Sequence, residues 1–322
     1  MMRITLARVL IIQLLLNNFV WAGHGAHVGI VKSGDNDYFQ QTIETLIDQA
    51  DKALYFSVLN VASHDDHVGV LHESDLIITL GVSAAQTIAA NYPEKQLISA
   101  YLTKQQAKSL NIHNKYHLSV LLDQTFERYL AFSQMVLNTQ LIGIINRAPV
   151  KLNQKQTRLL KVLDFNVVEY QLEQPENLQA LIRRLTGRSD ALLILPDQSI
   201  YNQDTLKGVL LTTYQSRTPV ISYSPAHTKS GALASIYSSP IDIGKHLGDI
   251  LDSFLSHKTI SERSQQYARY YSVAYNQNVA HALGLVLPDV RQLHSRLDKV
   301  LHETIGNKES NIIDHFDSSI FD

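Results

Sequence analysis

Two loops in the first third of the chain could hold an anionic group through backbone N–H groups. Residues 33–37 (SGDND) and 81–84 (GVSA) each join an apolar run to an amphipathic one. The first N–H groups of a helix have no partner within the helix, and the helix dipole attracts negative charge there. Glycine also lets a ligand approach the backbone closely. These loops give five candidate ligand-binding residues: Ser33, Asp37, Gly81, Val82 and Ser83.

A second group of polar and aromatic residues follows apolar runs farther along the chain. The Asp197 carboxylate could accept a charge-assisted hydrogen bond from a ligand ammonium group. Tyr38, Tyr101 and Tyr223 could enclose an apolar part of a ligand, although each tyrosine alone could equally serve packing or lie on the surface. This group adds six candidate ligand-binding residues: Tyr101, Asn146, Asp197, Gln198, Tyr223 and Ser224.

Three of these candidates have an alternative interpretation as helix caps. Serine and aspartate are common at helix N-termini, where their side-chain oxygens accept hydrogen bonds from backbone N–H groups. Asp37 and Ser83 could each cap the helix that they precede, and Asp197 could cap a helix that begins near residue 203. Both interpretations stay open at this point, and one residue can serve both roles.

The segment His64-Asp65-Asp66-His67, with His72 nearby, is the most metal-like cluster in the sequence. Imidazole and carboxylate groups are suitable zinc ligands, so a metal-binding carrier is one alternative function. We favour a solvated surface loop, and we predict neither a metal site nor a cofactor. The sequence lacks a Gly-x-Ser-x-Gly elbow, a Walker loop, a Gly-x-Gly-x-x-Gly motif and a His-Glu-x-x-His motif, which favours a protein that is not an enzyme.

The first 22 residues resemble a secretory signal peptide. A positive start containing Arg3 and Arg8 precedes the apolar run 9–16, and Val20-Trp21-Ala22 fits a signal-peptidase site. Cleavage after Ala22 would place the protein in the periplasm; a retained N-terminal anchor is the alternative. The 322-residue chain contains no cysteine, which excludes disulfides, thiol nucleophiles and lipidation at the cleavage site.

Charge and length limit the remaining classes of protein. The formal net charge of −2 becomes −4 without the two leader arginines, so the chain lacks the basic surface that nucleic-acid binding requires. The 300 residues after the leader exceed the usual size of a single hydrophobic core, which favours two lobes. Residues 306–322 form an acidic tail that we expect to be frayed.

Strand-like and helix-like segments alternate twice along the chain. In the first series, predicted strands at 28–31, 54–59, 75–80 and 96–101 alternate with helices, and a helix over 123–138 closes this half. The second series has strands at 141–145, 166–170, 191–195 and 219–223, followed by shorter strands at 233–237 and 267–275 and helices at 241–256, 277–283 and 288–304. This alternation predicts an α/β protein with two doubly wound parallel-sheet lobes, and ligands bind such sheets at the carboxyl ends of the strands.

Several motifs in the second half resemble a known family. They are Leu195-Pro196-Asp197-Gln198 after a strand, the run 218–223 (TPVISY), the run 229–236 (KSGALASI) and the ending 276–288 (NQNVAHALGLVLP). Their order is similar to that of the ABC-transporter substrate-binding proteins whose better-known members bind aromatic amino acids. The resemblance spans residues 27–304 and is strongest from 190 to 290. The family's Asp-Asn pair is Asp197-Gln198 here.

The resemblance implies a type I periplasmic-binding-protein fold with a hinge. The expected N-terminal lobe contains residues 27–138 and about 231–263, and the C-terminal lobe contains residues 140–226 and about 264–304. It also implies a monomer that captures an amino acid, or a related small amide or carboxylate, and delivers it to a membrane permease. A sensory protein that reports ligand occupancy to a membrane-bound kinase or cyclase is the alternative, because both use hinge closure around a ligand.

Overall fold

Two six-stranded sheets, each flanked by helices, make up the computed structural model. It describes residues 25–62, 68–110, 112, 116–174, 177–260 and 264–305. The strands are β1 Ala26–Lys32, β2 Leu54–Asn60, β3 Leu76–Leu80, β4 Gln96–Leu102, β5 His117–Leu121, β6 Leu141–Asn146, β7 Asn166–Gln171, β8 Ala191–Leu193, β9 Val220–Ser222, β10 Ala234–Tyr237, β11 Ser264–Tyr267 and β12 Ser272–Tyr275. The helices are α1 Asp37–Gln49, α2 Val68–Glu73, α3 Val82–Asn91, α4 Lys104–Ser109, α5 Phe126–Leu137, α6 Gln154–Val162, α7 Leu178–Thr186, α8 Gln203–Gln215, α9 Pro225–Ser230, α10 Pro240–His257, α11 Gln277–Leu283 and α12 Val290–Ile305.

The two sheets have the same strand order around their first strand. The first sheet runs β2-β1-β3-β4-β5-β11 with every pair parallel, and the second runs β7-β6-β8-β9-β10-β12 with only β12 antiparallel. Central strands such as β3 and β5 are buried along their whole length because helices cover both faces. The prediction of two doubly wound α/β lobes is confirmed.

Polar side chains define where most of the long helices begin. The side chains of five N-cap residues accept hydrogen bonds from backbone N–H groups in the first helical turn, which satisfies donors that the helix itself cannot. These caps are Asn36 for α1, Thr125 for α5, Asn153 for α6, Asn202 for α8 and Ser239 for α10. These capping residues therefore determine the residue at which each of these helices begins.

Each lobe has its own hydrophobic core, and helices that are distant in sequence contribute to it. In the first lobe, α10 packs against α1 and buries Ile243, Leu247 and Phe254 with the β1 and β3 side chains. In the second lobe, α5 packs against α6 and α12, and Phe132 is completely buried. We call the body around β1–β5 and β11 the first lobe and the body around β6–β10 and β12 the second lobe.

The chain passes between the lobes three times, and these crossings differ from the predicted boundaries. They lie at residues 122–125, 238–239 and 268–271. The helix predicted over 123–138 is α5, which belongs to the second lobe because its apolar side chains face that core. The strand predicted over 267–275 is two strands in different sheets, β11 in the first and β12 in the second.

Four elements of the structure were not predicted from the sequence. They are the strand β5 and the short helices α2, α4 and α9. Conversely, the leader 1–22, the cluster His64-Asp65-Asp66-His67 and the tail 306–322 lie outside the described residues. Within the described part of the chain, no helix combines the length and apolar character needed to span a membrane.

A cleft between the carboxyl ends of the two sheets

The carboxyl ends of the parallel strands in both lobes face the region where the chain crosses. β5 ends in the first lobe just before α5 begins in the second, and β10 ends in the second just before α10 begins in the first. The third crossing runs from the end of β11, which is parallel to β5, to Ser272, which pairs with Tyr237 at the end of β10. The loops that follow the strands of both sheets therefore border one interlobe cleft.

The N-terminus of α3 presents free backbone donors at the edge of the first sheet. Gly81 is the N-cap and has no capping side chain. The Ser33 hydroxyl, which follows β1, accepts a hydrogen bond from the Ala84 N–H at 2.9 Å. Among the described residues, the N–H groups of Val82 and Ser83 have no acceptor, and the Ser83 side chain is exposed. This pair of N–H groups is suited to an anion.

Only glycine fits at position 81. Its backbone has φ +95°, a conformation that side chains disfavour. A Cβ atom there would lie 2.6 Å from the Ser33 Oγ atom and 3.1 Å from the Phe39 ring. The close approach of the Ser33 hydroxyl to the start of α3 thus depends on Gly81.

Tyr101, at the end of β4, has a strained backbone and a partly buried hydroxyl group. Its φ is +62°, which is unusual for a bulky residue, and the pairing of β4 with β5 shifts register there. The hydroxyl bonds to the Thr42 hydroxyl at 2.6 Å, and its ring packs edge-on against Phe39. Burial raises the pKa of Tyr101 to about 12. These contacts tie β4 to α1, so packing accounts for much of the Tyr101 side chain.

Asp123 lies just after β5, the strand next to β4, and it was not among the predicted site residues. The carboxylate follows β5, and its Oδ2 atom accepts the Lys104 N–H at 2.6 Å. Burial raises the pKa of this carboxyl group. The Asp123 charge in turn adds to the effect of burial in raising the pKa of Tyr223, from the second lobe. Asp123 is therefore close to both lobes.

In the second lobe, the side chains of Asp197 and Arg147 both form hydrogen bonds with Ser199. The Asp197 Oδ1 atom accepts the N–H and the hydroxyl of Ser199 at 2.8 and 2.6 Å. The Arg147 side chain donates to the Ser199 hydroxyl at 2.8 Å. Among the described residues nothing donates to Asp197 Oδ2, so one oxygen of this carboxylate is available. These loops follow β6 and β8, where the strand order reverses and ligands of doubly wound sheets bind.

Tyr201 places an unpartnered hydroxyl group next to this loop. The side chain is only 2% exposed, and the hydroxyl has no hydrogen-bond partner among the described residues. Burial, followed by the charges of Asp197 and Tyr223, raises the pKa of Tyr201 far above its usual value. A buried hydroxyl normally has a partner, so this group is a candidate for contact with a ligand or an ordered water molecule.

The structure corrects the alternative capping roles. Asn36, not Asp37, caps α1, and Asp37 is exposed in the first turn. Gly81, not Ser83, is the N-cap of α3. Asn202 caps α8, whereas Asp197 stabilises the preceding turn.

The remaining predicted site residues lie at the same sheet edge in different environments. Ser224 caps α9, and its hydroxyl accepts the Ala226 N–H. Asn146 is buried and donates to Glu169 at 3.3 Å, whereas Gln198 is exposed. The Tyr223 ring is half-buried and contacts His227 edge-on. Ligand contact by each of these residues stays a prediction.

Hydrogen bonds join all three crossings beneath the cleft. Gln124 in the first crossing donates to the Ser238 hydroxyl in the second at 2.8 Å, and Ser238 donates to the Tyr270 carbonyl in the third at 3.0 Å. The Arg128 guanidinium, 4% exposed, donates to Gln124 at 2.5 Å and to the Ala268 carbonyl at 3.0 Å. This hinge network links the positions about which the lobes would rotate.

A second depression lies far from the cleft. It encloses about 740 Å³ at the amino ends of the second sheet, beside Asp164, Asp190 and Arg217. The two carboxylates already have partners, since Asp190 accepts from Thr139 and the Leu141 N–H and Asp164 accepts from Gln140. In the described part of the chain, no group of three or more His, Cys, Asp or Glu residues could hold a metal ion.

Two solved structures are similar to this chain over most of its length. No curated protein matches the chain. A ligand-free, open substrate binding protein with adhesive properties from Clostridium difficile shares 16% identity at a TM-score of 0.59, covering 82% of this chain and 96% of the other. A Streptococcus pneumoniae protein described as an ABC domain in complex with L-Trp shares 17% identity at a TM-score of 0.48, covering 87% and 99%.

A family model gives the stronger assignment. The model of the ABC transporter substrate binding proteins matches residues 67–293, which is most of the chain and includes parts of both lobes. The expected resemblance is thereby confirmed, as is the fold of two α/β lobes joined by three crossings. The chain belongs to the ABC transporter substrate binding protein family, whose members bind small-molecule solutes for membrane transporters.

Proposed function

We propose that this protein captures an amino acid, or a related small amide or carboxylate, in the interlobe cleft and delivers it to the permease of an ABC transporter. The observation that carries the proposal is the start of α3, where the Val82 and Ser83 N–H groups have no acceptor among the described residues. Such a pair of amides would bind a carboxylate without a cationic side chain.

The second lobe offers a complementary group for the ligand ammonium. Asp197 follows β8, and β8 holds the same place in its sheet as β3, which precedes α3, in the first. Its Oδ2 atom has no donor among the described residues, so closure of the lobes would bring an acceptor towards an ammonium group. A zwitterion held from both sides would stabilise the closed arrangement, which is the form that a permease would recognise.

A thermal-shift screen of the purified protein tests this proposal. Amino acids and small amides form the test set, and neutral sugars without a carboxylate form the comparison set. A ligand that binds only the folded protein raises its stability by mass action, by about 2.7 kcal/mol at a hundredfold excess over the dissociation constant. We expect a shift with at least one amino acid or amide. A shift with sugars alone would contradict the proposed ligand class.

We also propose export to the periplasm with removal of residues 1–22. The mature protein recovered from a periplasmic extract of a Gram-negative host should begin at Gly23, because Val20-Trp21-Ala22 fits the cleavage site. N-terminal sequencing or intact-mass measurement reads this out. Membrane-bound material that begins at Met1 would show that the segment is a retained anchor.

A further inference from the structure

We propose that Asp123 binds a second positive group at the far end of the ligand, so that the cleft selects a basic amino acid or a ligand of similar length and charge. This inference rests on the proposed function, because it assumes an amino-acid ligand bound between α3 and Asp197. It goes further by assigning a site to Asp123 and by naming the ligand's charge pattern.

The distance between Asp123 and the start of α3 indicates how long the ligand would be. Asp123 follows β5, which is separated from β3 by the single strand β4. Neighbouring strands lie about 4.8 Å apart, so the loops after β3 and β5 are separated by about 10 Å. An amino acid whose carboxylate lies at the start of α3 can reach this far only through a long side chain.

The hydrogen bonds of Asp123 leave room for a cation. Its Oδ2 atom accepts the Lys104 N–H, the carboxylate also interacts with its own backbone N–H, and no ion pair to it occurs among the described residues. Burial raises the pKa of the carboxyl group, with the Lys104 charge as the smallest opposing effect. A buried carboxylate without a counter-ion is unfavourable, and a ligand cation would compensate for the lost hydration.

Three tyrosine side chains lie near Asp123. The Asp123 charge adds to the effect of burial in raising the pKa values of Tyr129, Tyr223 and Tyr267. Aromatic faces attract cations and pack on methylene groups. On the second-lobe side, the buried Tyr201 hydroxyl has no hydrogen-bond partner among the described residues.

The charges along the cleft match a ligand with two positive groups and one negative group. The start of α3 supplies donors for one carboxylate, whereas Asp197 and Asp123 supply acceptors for two cations. Lysine and arginine have this arrangement, with an α-ammonium group close to the carboxylate and a second cation several bonds away. A ligand with a neutral side chain would leave Asp123 buried without a counter-charge.

Isothermal titration calorimetry with two matched ligand pairs tests the inference on the native protein. Arginine is compared with citrulline, which has a similar size and lacks the distal charge, and lysine is compared with norleucine, which lacks the distal ammonium group. We expect the charged member of at least one pair to bind about tenfold or more tightly than its neutral partner. Because the native protein carries this comparison, its outcome does not depend on the folding of a variant.

Asp123→Asn then assigns the preference to this carboxylate. The substitution keeps an acceptor for the Lys104 N–H and removes the charge, so the variant should bind the charged partner more weakly, bind the neutral partner at least as tightly as the native protein does, and lose the preference. Asp252→Asn, which removes the same charge from an exposed position on α10, should keep the full preference. Persistence of the preference in Asp123→Asn would overturn the assignment.

The remaining outcomes distinguish this inference from the proposed function. Equal binding of charged and neutral partners by the native protein would overturn the role of Asp123 and leave amino-acid binding intact. Absence of binding by all four probes, together with no response to any amino acid or amide in the thermal-shift screen, would overturn the proposed function and this inference with it.

Discussion

At the scale of single residues, side chains that border this cleft stabilise the loops to which they belong. Ser33 holds the start of α3, and Asp197 holds the turn before α8, each through one oxygen atom. The sequence indicates such residues by their place after a strand, but it does not tell which atoms remain available. In Asp197 the Oδ1 atom stabilises the turn, and the proposed ligand contact would use the Oδ2 atom. A substitution can therefore separate these two roles.

Asp197→Asn should weaken binding of the amino-acid ligand about tenfold or more while leaving the empty protein nearly as stable as before. Asparagine keeps an Oδ1 acceptor for Ser199 and loses the negative charge that would pair with an ammonium group. Calorimetric titration and the melting temperature of the empty protein give the two readouts. Asp204→Asn, an exposed change in the first turn of α8, is the matched control.

The opposite pattern would contradict this assignment. If Asp197→Asn lowered the melting temperature strongly and left the dissociation constant unchanged, Asp197 would be a turn-stabilising residue only. The exposed oxygen would then have no part in binding, and the second lobe's contribution would have to come from other groups such as Arg147 or Tyr223.

At the scale of helices and strands, the pattern of apolar residues predicted most of the fold. It did not predict β5, a buried strand that contains polar residues. β3 (LIITL) reads as a buried strand, and it is one. β5 (HLSVL) is equally buried, yet His117 and Ser119 interrupt its apolar run. The His117 ring bonds to the Ser99 hydroxyl at 3.0 Å on the neighbouring strand, so the polar groups are satisfied within the sheet. Sequence alone does not show such a pairing.

Asp123 was not predicted as a candidate because it follows β5, whose apolar run is interrupted by polar residues. The lobe boundaries were wrong for a related reason: the residues of a crossing resemble any other loop, and only packing shows that α5 belongs to the second core. By contrast, the sequence indicates candidates after β1, β3, β6, β8 and β9, because those strands have apolar sequences. Contact of these candidates with a ligand stays a prediction.

The helix α10 contains a buried histidine that should make the protein less stable in mild acid. His246 is 2% exposed, and burial, followed by the nearby Arg269 charge, lowers its pKa from 6.5 to about 4. Between these values the unfolded chain binds a proton that the folded protein does not. The stability contributed by neutral His246 is therefore complete above pH 6.5 and is lost as the pH falls towards 4, by up to about 3 kcal/mol.

Urea unfolding at several pH values between 4 and 7.5 measures this effect. His246→Asn keeps an acceptor near the Arg269 N–H, which donates to the His246 Nδ1 atom at 3.4 Å, and it cannot be protonated. Its stability should therefore vary less with pH than that of the native protein. His281→Asn, at an exposed position of α11, should retain the native slope. Equal slopes in all three proteins would show that His246 does not dominate this pH range.

At the scale of the whole molecule, hydrogen bonds connect the three crossings between the two lobes. Gln124, Ser238 and the Tyr270 carbonyl form a chain of hydrogen bonds across all three crossings, and the buried Arg128 guanidinium reinforces it. A network that joins all three crossings would favour opening and closing of the lobes about these positions, with α3 kept opposite the loop after β8.

A ligand that touches both lobes should therefore shorten the distance between loops on opposite sides of the cleft. The sequence has no cysteine, so dyes can be attached at two introduced cysteines without removing native ones. Asp35→Cys follows β1 in the first lobe and Pro149→Cys follows β6 in the second, and both positions are exposed. We expect energy transfer between the dyes to increase on addition of the ligand found in the thermal-shift screen, because closure brings the two loops together. The pair Asp35→Cys and Glu94→Cys lies within the first lobe and should show no change. If the ligand binds and energy transfer stays constant for the interlobe pair, the ligand is held by one lobe alone, and recognition of a closed form by a permease would lose its physical basis.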